Sequence, residues 1–163
     1  MERSRVPTVR EIMTRSLVTL RPDMTAAAAA QELLSHEISG APVVDEAGAL
    51  LGLLSEYDCL RAVASAEYQM DAHDAAETVG DLMTTDCHTV EPDLDLFGLA
   101  HEFVRLRVRR FPVLEDGRLV GQVSRRDALR AALRLRRELA RAQRDYPDYP
   151  KGRDPIRNYP GGR

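Results

Sequence analysis

The sequence predicts a mixed α/β fold made of two pseudo-twofold-related repeats, each a small three-stranded sheet flanked by helices. Three observations lead there. The stretch from Val9-Arg10-Glu11-Ile12-Met13-Thr14 to Leu60-Arg61-Ala62-Val63 returns as Val79-Gly80-Asp81-Leu82-Met83-Thr84 to Leu129-Arg130-Ala131-Ala132. The offset is 70 from Met13/Met83 to Pro42/Pro112 and 69 from Gly48/Gly117 to Asp58/Asp127, so one residue is lost in the turn between. Both copies read in the same order, as helix, strand, helix, strand, strand, helix. Finally, there are only two copies, which fits a globule with a shared core better than a solenoid, because neither copy can bury its apolar face alone. Function is then expected at the seam between copies.

Repeat 1 spans 8–64 and repeat 2 spans 78–133, joined by a linker or helix at 65–77. Thr8-Val9-Arg10-Glu11 and Thr78-Val79-Gly80-Asp81 have the form of capping boxes opening short helices that end at Met13-Thr14 and Met83-Thr84. Leu17-Val18-Thr19-Leu20 and Cys87-His88-Thr89-Val90 are short strand candidates, each closed by an x-Pro-Asp turn. Helices are predicted from Thr25 to Glu37 and from Leu94 to Leu106, the latter with Phe97, Ala100, Phe103 and Val104 on an apolar stripe. Ala41-Pro42-Val43-Val44 and Phe111-Pro112-Val113-Leu114 are strands with proline near the start, where a missing donor is tolerable. Gly48 and Gly117 turn the chain into second strands, and helices begin at Ser55 and Ser124. The last helix extends over 134–144, and a Tyr/Pro/Gly-rich extended tail occupies 145–163.

The strand exits read Gly52-Leu53-Leu54-Ser55-Glu56-Tyr57-Asp58 and Gly121-Gln122-Val123-Ser124-Arg125-Arg126-Asp127. A serine at a helix N-cap offers a hydroxyl and free N–H groups at the positive end of the helix, which favours phosphate. The Asp one turn in is an acceptor suited to ribose hydroxyls. The same element is also a plain capping box, and both readings stand on the residues alone. Together with the Met-Thr opening, the x-Pro-Val strand and the acidic-Gly hairpin, these exits resemble the cystathionine-beta-synthase (CBS) domain, present twice over residues 8–64 and 78–133. The resemblance implies two such domains packed sheet to sheet in a Bateman module, with two related clefts that take adenine nucleotides or related adenosyl ligands.

By that resemblance, one cleft combines Ser124 and Asp127 with Thr14, Leu17, Val18, Ile38 and Ser39. Arg109 and Arg110 stand where the family places basic phosphate contacts, and Arg125 and Arg126 lie at the same helix start. The second cleft would use Ser55, Asp58, Thr84, His88, Val108, Gly40 and Ala41. Where the first has Arg125 and Arg126, the second has Glu56 and Tyr57, so an anionic phosphate is expected at the cleft of Asp127. Gln122 departs from the pattern, a polar residue on a hydrophobic strand that faces either solvent or the ligand's base.

The net charge of −3 conceals a division: residues 1–104 carry 6 Arg against 19 acidic side chains, residues 105–144 carry 13 Arg against 4. Such asymmetry suits an anionic ligand or an acidic surface of a partner subunit. Arg130, Arg134, Arg137, Arg141 and Arg144 form a basic stripe, but a pI near 5.8 and the lack of interleaved aromatics disfavour nucleic acid. The 163 residues hold no membrane-length apolar run and no N-terminal apolar stretch of a secretory signal, so a cytoplasmic protein is expected. Cys59 and Cys87 show no metal or redox spacing and are expected as buried small hydrophobes. Catalytic motifs are missing too: no Gly-x-Ser-x-Gly elbow, P-loop or metal-ligand spacing occurs. The expectation is a non-enzymatic regulatory module with no cofactor beyond a regulatory adenine nucleotide (AMP, ADP or ATP), a homodimer by resemblance, acting on an unidentified protein target. The alternative is a ligand-free scaffold acting through the arginine-striped helix and the tail.

Overall fold

The computed structural model describes residues 5–66 and 77–145; the expected Tyr-Pro tail and most of the linker lie outside them. The elements are α1 (Val9–Ile12), α2 (Ala26–Ser35), β1 (Gly40–Val44), β2 (Leu50–Ser55) and α3 (Glu56–Ala66), then α4 (Val79–Leu82), α5 (Leu96–Leu106), β3 (Arg110–Glu115), β4 (Arg118–Ser124) and α6 (Arg125–Asp145). The mixed α/β class and the doubling are as the repeat predicts, but the strands expected over 17–20 and 87–90 are absent from the element order.

Each sheet is an antiparallel hairpin, β1 with β2 and β3 with β4. The third strand contracts to one parallel bridge, Leu20 on Val43 in repeat 1 and Val90 on Val113 in repeat 2. Prolines explain the contraction. Leu20 N–H donates to Pro42 O at 2.9 Å and Leu20 O accepts from Val44 N–H at 3.0 Å. One parallel step earlier, the ladder would need an N–H from Pro42; one step later, it would need one from Pro22. Neither exists. Pro112 and Pro92 block the same two steps around Val90, whose own pair of bonds is intact.

The repeats exchange their opening helices. Val9 and Met13 are buried with Leu99, Phe103, Phe111, Val113 and Val123, in the core of repeat 2. Val79 and Leu82 are buried with Leu20, Leu33, Val43 and Leu54, in the core of repeat 1. The backbone repeats the exchange bond for bond. Val9 N–H donates to Leu94 O (2.8 Å) and Arg10 N–H to Pro92 O (2.8 Å), while Val79 N–H donates to Met24 O (2.8 Å) and Gly80 N–H to Pro22 O (2.9 Å). Capping boxes fix both short helices: Glu11 Oε2 accepts from Thr8 N–H at 2.7 Å, and Asp81 Oδ2 from Thr78 N–H at 2.9 Å. Helices of four residues would not persist alone, so burial of Val9 and Val79 holds them. Arg10 adds an ion pair across the seam, to Glu115 at 2.5 Å and Asp93 at 3.3 Å.

After each short helix the chain lies against the partner repeat's second strand. Thr14 and Gln122 exchange two backbone bonds of 2.9 Å, as do Thr84 and Leu53. Gly121 and Gly52 make room for this. A Cβ on Gly121 would lie 2.6 Å from Met13 Sδ, and one on Gly52 would lie 2.8 Å from Thr84 O. Thus the glycine of each strand exit is required by the other repeat's Met-Thr segment.

Candidate functional site

Both Ser-x-x-Asp elements fold as reciprocal capping boxes. Asp127 Oδ2 accepts from Ser124 N–H at 2.9 Å and from Ser124 Oγ at 2.6 Å, while Ser124 Oγ accepts from Asp127 N–H at 3.2 Å. Asp58 Oδ2 accepts from Ser55 N–H at 2.9 Å and from Ser55 Oγ at 2.6 Å. In each, Oδ1 is the oxygen left for another partner. Arg130 approaches Asp127 Oδ1 at 3.4 Å and Arg61 approaches Asp58 Oδ1 at 3.9 Å. The Asp127 side chain is 21% exposed and that of Asp58 11%, so Asp127 is the more accessible acceptor. A cavity of about 380 Å³ between α1 and α6 reaches Asp127, lined on its apolar side by Pro7, Ile12, Ala131 and Leu135.

Thr14 and Thr84 stand exposed at the strand exits, each bridged to the residue two before the capping serine. Positions 39–40 and 109–110 are repeat equivalents, and here the two copies meet. Arg110 reaches back to its own counterparts, donating to Gly40 O at 2.9 Å and to Ser39 Oγ at 2.5 Å. The sequence grouped Arg110 with Ser39 in one cleft and Gly40 in the other; the structure places all three together. Burial pushes the Arg110 pKa below its ordinary value, with Arg109 adding repulsion and Glu56 partly opposing. A half-buried guanidinium bound only to neutral oxygens is a charge without a counter-ion in contact.

Arg125 is spent differently from the sequence expectation. Its guanidinium donates to Val108 O at 2.6 Å and to Arg107 O, closing the C-terminal end of α5 where Arg107 adopts a left-handed φ of 55°. It is therefore a clamp between α5 and α6 in this state. The Arg109 and Arg126 guanidiniums make no hydrogen bond or ion pair among the described residues, and both are exposed. Leu17 and Val18 are half-buried, outside regular strand. Ile38 packs against the core of repeat 1, and Ala41 is buried within that core. His88 is exposed, two residues before the Val90–Val113 bridge.

Gln122 is the feature that the sequence flagged and could not orient. Its backbone carries the Thr14 bridge, and its Oε1 is buried with no hydrogen-bond partner. The equivalent position in repeat 1 is Leu53, which needs no partner. An orphan acceptor of this kind costs about 1–3 kcal/mol unless something donates to it.

Cys59 and Cys87 are both free thiols, half-buried, with pKa pushed up chiefly by burial. Among the described residues no cluster of His, Cys, Asp or Glu has the arrangement of a metal site. No described helix is long and apolar enough to cross a membrane.

Two α/β repeats that trade their opening helices and meet along paired strand exits define a tandem two-domain module. The CBS domain profile matches residues 9–65 and 79–134, and the chain belongs to that family as a tandem CBS pair, a Bateman module. Among curated relatives, the protein MJ1225 of Methanocaldococcus jannaschii is 33% identical over 122 residues, 75% of this chain and 41% of its own length. The chain thus spans about two fifths of that relative. The crystal structure of CBSX2 in complex with AMP, from Arabidopsis thaliana, superposes with a TM-score of 0.70 at 30% identity, covering 80% of this chain and 98% of that one. The CBS domain pair of protein MJ0100 in complex with 5'-methylthioadenosine and S-adenosyl-L-methionine gives 0.66 at 26% identity, covering 77% and 95%.

Proposed function

We propose that this chain is a regulatory adenine-nucleotide sensor, with AMP, ADP or ATP bound in the cleft between repeats near Asp127. The observation that carries the reading is the uncompensated positive charge at the seam. Arg110 is half-buried against neutral oxygens, and Arg109 stands beside it with its guanidinium unpaired among the described residues. A phosphate would supply the missing counter-charge. Asp127 Oδ1 is the acceptor for a ribose hydroxyl, taken over from Arg130, and Thr14 flanks it. Gln122 Oε1 would accept from an exocyclic amino group of the base, which adenine has. Two solved neighbours hold adenosyl ligands, AMP in one and methylthioadenosine with S-adenosylmethionine in the other, which supports the ligand class.

Signalling follows from differential affinity. A ligand that binds one angle between the repeats more tightly shifts the population toward it by that difference alone. The shift would be read by a protein target, with the module itself working as a non-catalytic homodimer in the cytoplasm. Isothermal titration of AMP, ADP, ATP and S-adenosylmethionine tests this, with Asp127→Ala and Asp58→Ala alongside. Micromolar binding lost in Asp127→Ala alone is the expected result. Absence of heat and of any thermal shift with all four ligands would sink the sensor reading. It would leave the scaffold reading, which the exposed Leu129 and Leu133 on the long α6 favour.

A further inference from the structure

We propose that the arginine face of α6 is the docking surface for the protein target, and that the target presents an acidic segment to it. The proposal gives the chemistry of the partner left open above and rests on that regulatory reading. Arg130, Arg134, Arg137, Arg141 and Arg144 recur four and three residues apart along the helix. At about 3.6 residues per turn they lie within an arc of about 80° and span about 21 Å. All five are exposed. The opposite side of the helix is spent on the core of repeat 2, where Ala128, Ala131 and Leu135 are buried and Leu139 packs against them. Asp127 and Glu138 fall outside the arc, together at the cavity between α1 and α6. Arg130 meets Asp127 at 3.4 Å. The guanidiniums of Arg134, Arg137, Arg141 and Arg144 make no hydrogen bond or ion pair among the described residues. Like charges three and four apart on a helix repel one another, so this row is unfavourable until an anion meets it.

The face selects among anions. A guanidinium binds a carboxylate through two parallel N–H donors, and a segment with closely spaced Asp or Glu offers several carboxylates at once. Single-stranded nucleic acid is held by aromatic platforms that stack its bases, and α6 has no aromatic residue. An anionic membrane takes up apolar side chains, and the arc offers none, because Leu135 and Leu139 face the core. Size decides further. A duplex or a bilayer extends well beyond a strip of about 21 Å. It would meet the rest of the chain, where residues 1–104 carry 19 acidic side chains against 6 Arg. At physiological salt that repulsion acts over about 8 Å. A short acidic segment keeps to the strip and avoids it.

Fluorescence anisotropy of a labelled oligoglutamate peptide on the full chain, at about 0.1 M salt and without nucleotide, tests the surface. A labelled single-stranded DNA oligonucleotide and phosphatidylserine vesicles run alongside. The peptide should bind, and Arg137→Gln with Arg141→Gln should weaken it about fivefold or more, since two exposed ion-pairing groups are lost. Arg15→Gln with Arg118→Gln removes the same charge from exposed positions elsewhere and should leave the affinity unchanged. Gln is about as good a helix former as Arg, so circular dichroism should not separate the variants from the parent. Equal loss in both pairs, or no binding of the peptide at all, overturns the proposal. Binding of the oligonucleotide or the vesicles in preference to the peptide overturns it too. Because nucleotide is absent throughout, failure of this face and failure of the sensor reading show in separate experiments.

Discussion

Replacing Gly52 by alanine tests whether the exchange between repeats is as tight as the structure draws it. The added Cβ would lie 2.8 Å from Thr84 O and 2.9 Å from Met83 Sδ. Against an ordinary contact of at least about 3.5 Å, the backbone oxygen is roughly 0.7 Å too close. The sulfur can swing away on a flexible side chain; the carbonyl cannot, because Thr84 O accepts the Leu53 N–H at 2.9 Å in the bridge itself. Overpacking of this size costs about 1–3 kcal/mol. The alanine returns about 0.4–1 kcal/mol by narrowing the unfolded ensemble. The net is a loss of about 1–2 kcal/mol, which for a chain of this size lowers Tm by about 2–8 °C. Gly121→Ala is the internal control, since its 2.6 Å contact is with Met13 Sδ and its backbone contact, Thr14 O, is at 3.0 Å. There the flexible sulfur takes most of the strain, so the cost should be smaller. Urea titrations of the parent and both variants, with m-values compared, measure the order. If Gly52→Ala is as stable as the parent, or is hurt less than Gly121→Ala, the close approach of Met83-Thr84 to β2 is wrong.

Other tests follow from the seam and the titratable groups. Arg110→Gln keeps a donor for Gly40 O but removes the half-buried charge. Titration should show AMP affinity falling about tenfold or more, since a hydrogen bond to a charged group contributes about 1.5–3 kcal/mol, while the fold is unchanged by circular dichroism. Gln122→Leu installs the repeat 1 residue at the orphan position. Ligand-free stability should hold or rise, and preference for AMP over IMP, which lacks the exocyclic amine, should shrink; unchanged preference removes Gln122 from base recognition. Glu11, Asp81 and Glu115 have pKa values held below ordinary by Thr8, Thr78 and Arg10 respectively. Their stabilisation is full above the unfolded values of 4.5 for Glu and 3.8 for Asp and is lost as pH falls through the lower folded ones. Cys59 and Cys87, shifted upward, act in the opposite sense, with stability lost only as pH rises beyond 9.0. A urea midpoint that climbs on acidification below pH 4.5 would contradict the carboxylate contacts.

What the sequence disclosed and what it hid divide along a physical line. Repeat offsets, capping boxes and strand exits are local, so Thr8-x-x-Glu11, Thr78-x-x-Asp81 and both Ser-x-x-Asp elements were legible residue by residue. The contracted third strand was also legible in principle. Pro22 and Pro42 bracket Leu20 at the two ladder steps that need a donor, and Pro92 and Pro112 do the same for Val90. The exchange of α1 and α4 was legible only through the family resemblance, which grouped Thr14 with Asp127 and Thr84 with Asp58. An apolar pattern says that Val9 and Met13 are buried, not which of two equivalent cores receives them. Arg125 was hidden for a related reason. Its value depends on how α5 ends, and a left-handed φ is uncommon for arginine. Arg110 was placed at the seam by position alone, yet its partners, Ser39 and Gly40, come from folding the pseudo-twofold back on itself.

One helix connects the proposed ligand site to an exposed apolar face. The first turn of α6 carries Asp127 in its capping box, with Arg125 clamped to the end of α5. Its inner side packs Ala128, Ala131 and Leu135 into the core that also holds Val9 and Met13. Its outer side presents Leu129 and Leu133. A nucleotide held by Asp127 would act on the first turn of the same helix that presents this outer face. Coupling of this kind is reciprocal: if nucleotide alters dimer affinity by some factor, dimerisation must alter nucleotide affinity by the same factor. Measuring AMP affinity well below and well above the dimer dissociation constant gives one side of that equality, and measuring dimer affinity with and without AMP gives the other. A factor different from unity shows that the two events are coupled, as a shared α6 requires; a factor of one means that the helix carries two independent surfaces, and the sensor signals by another route.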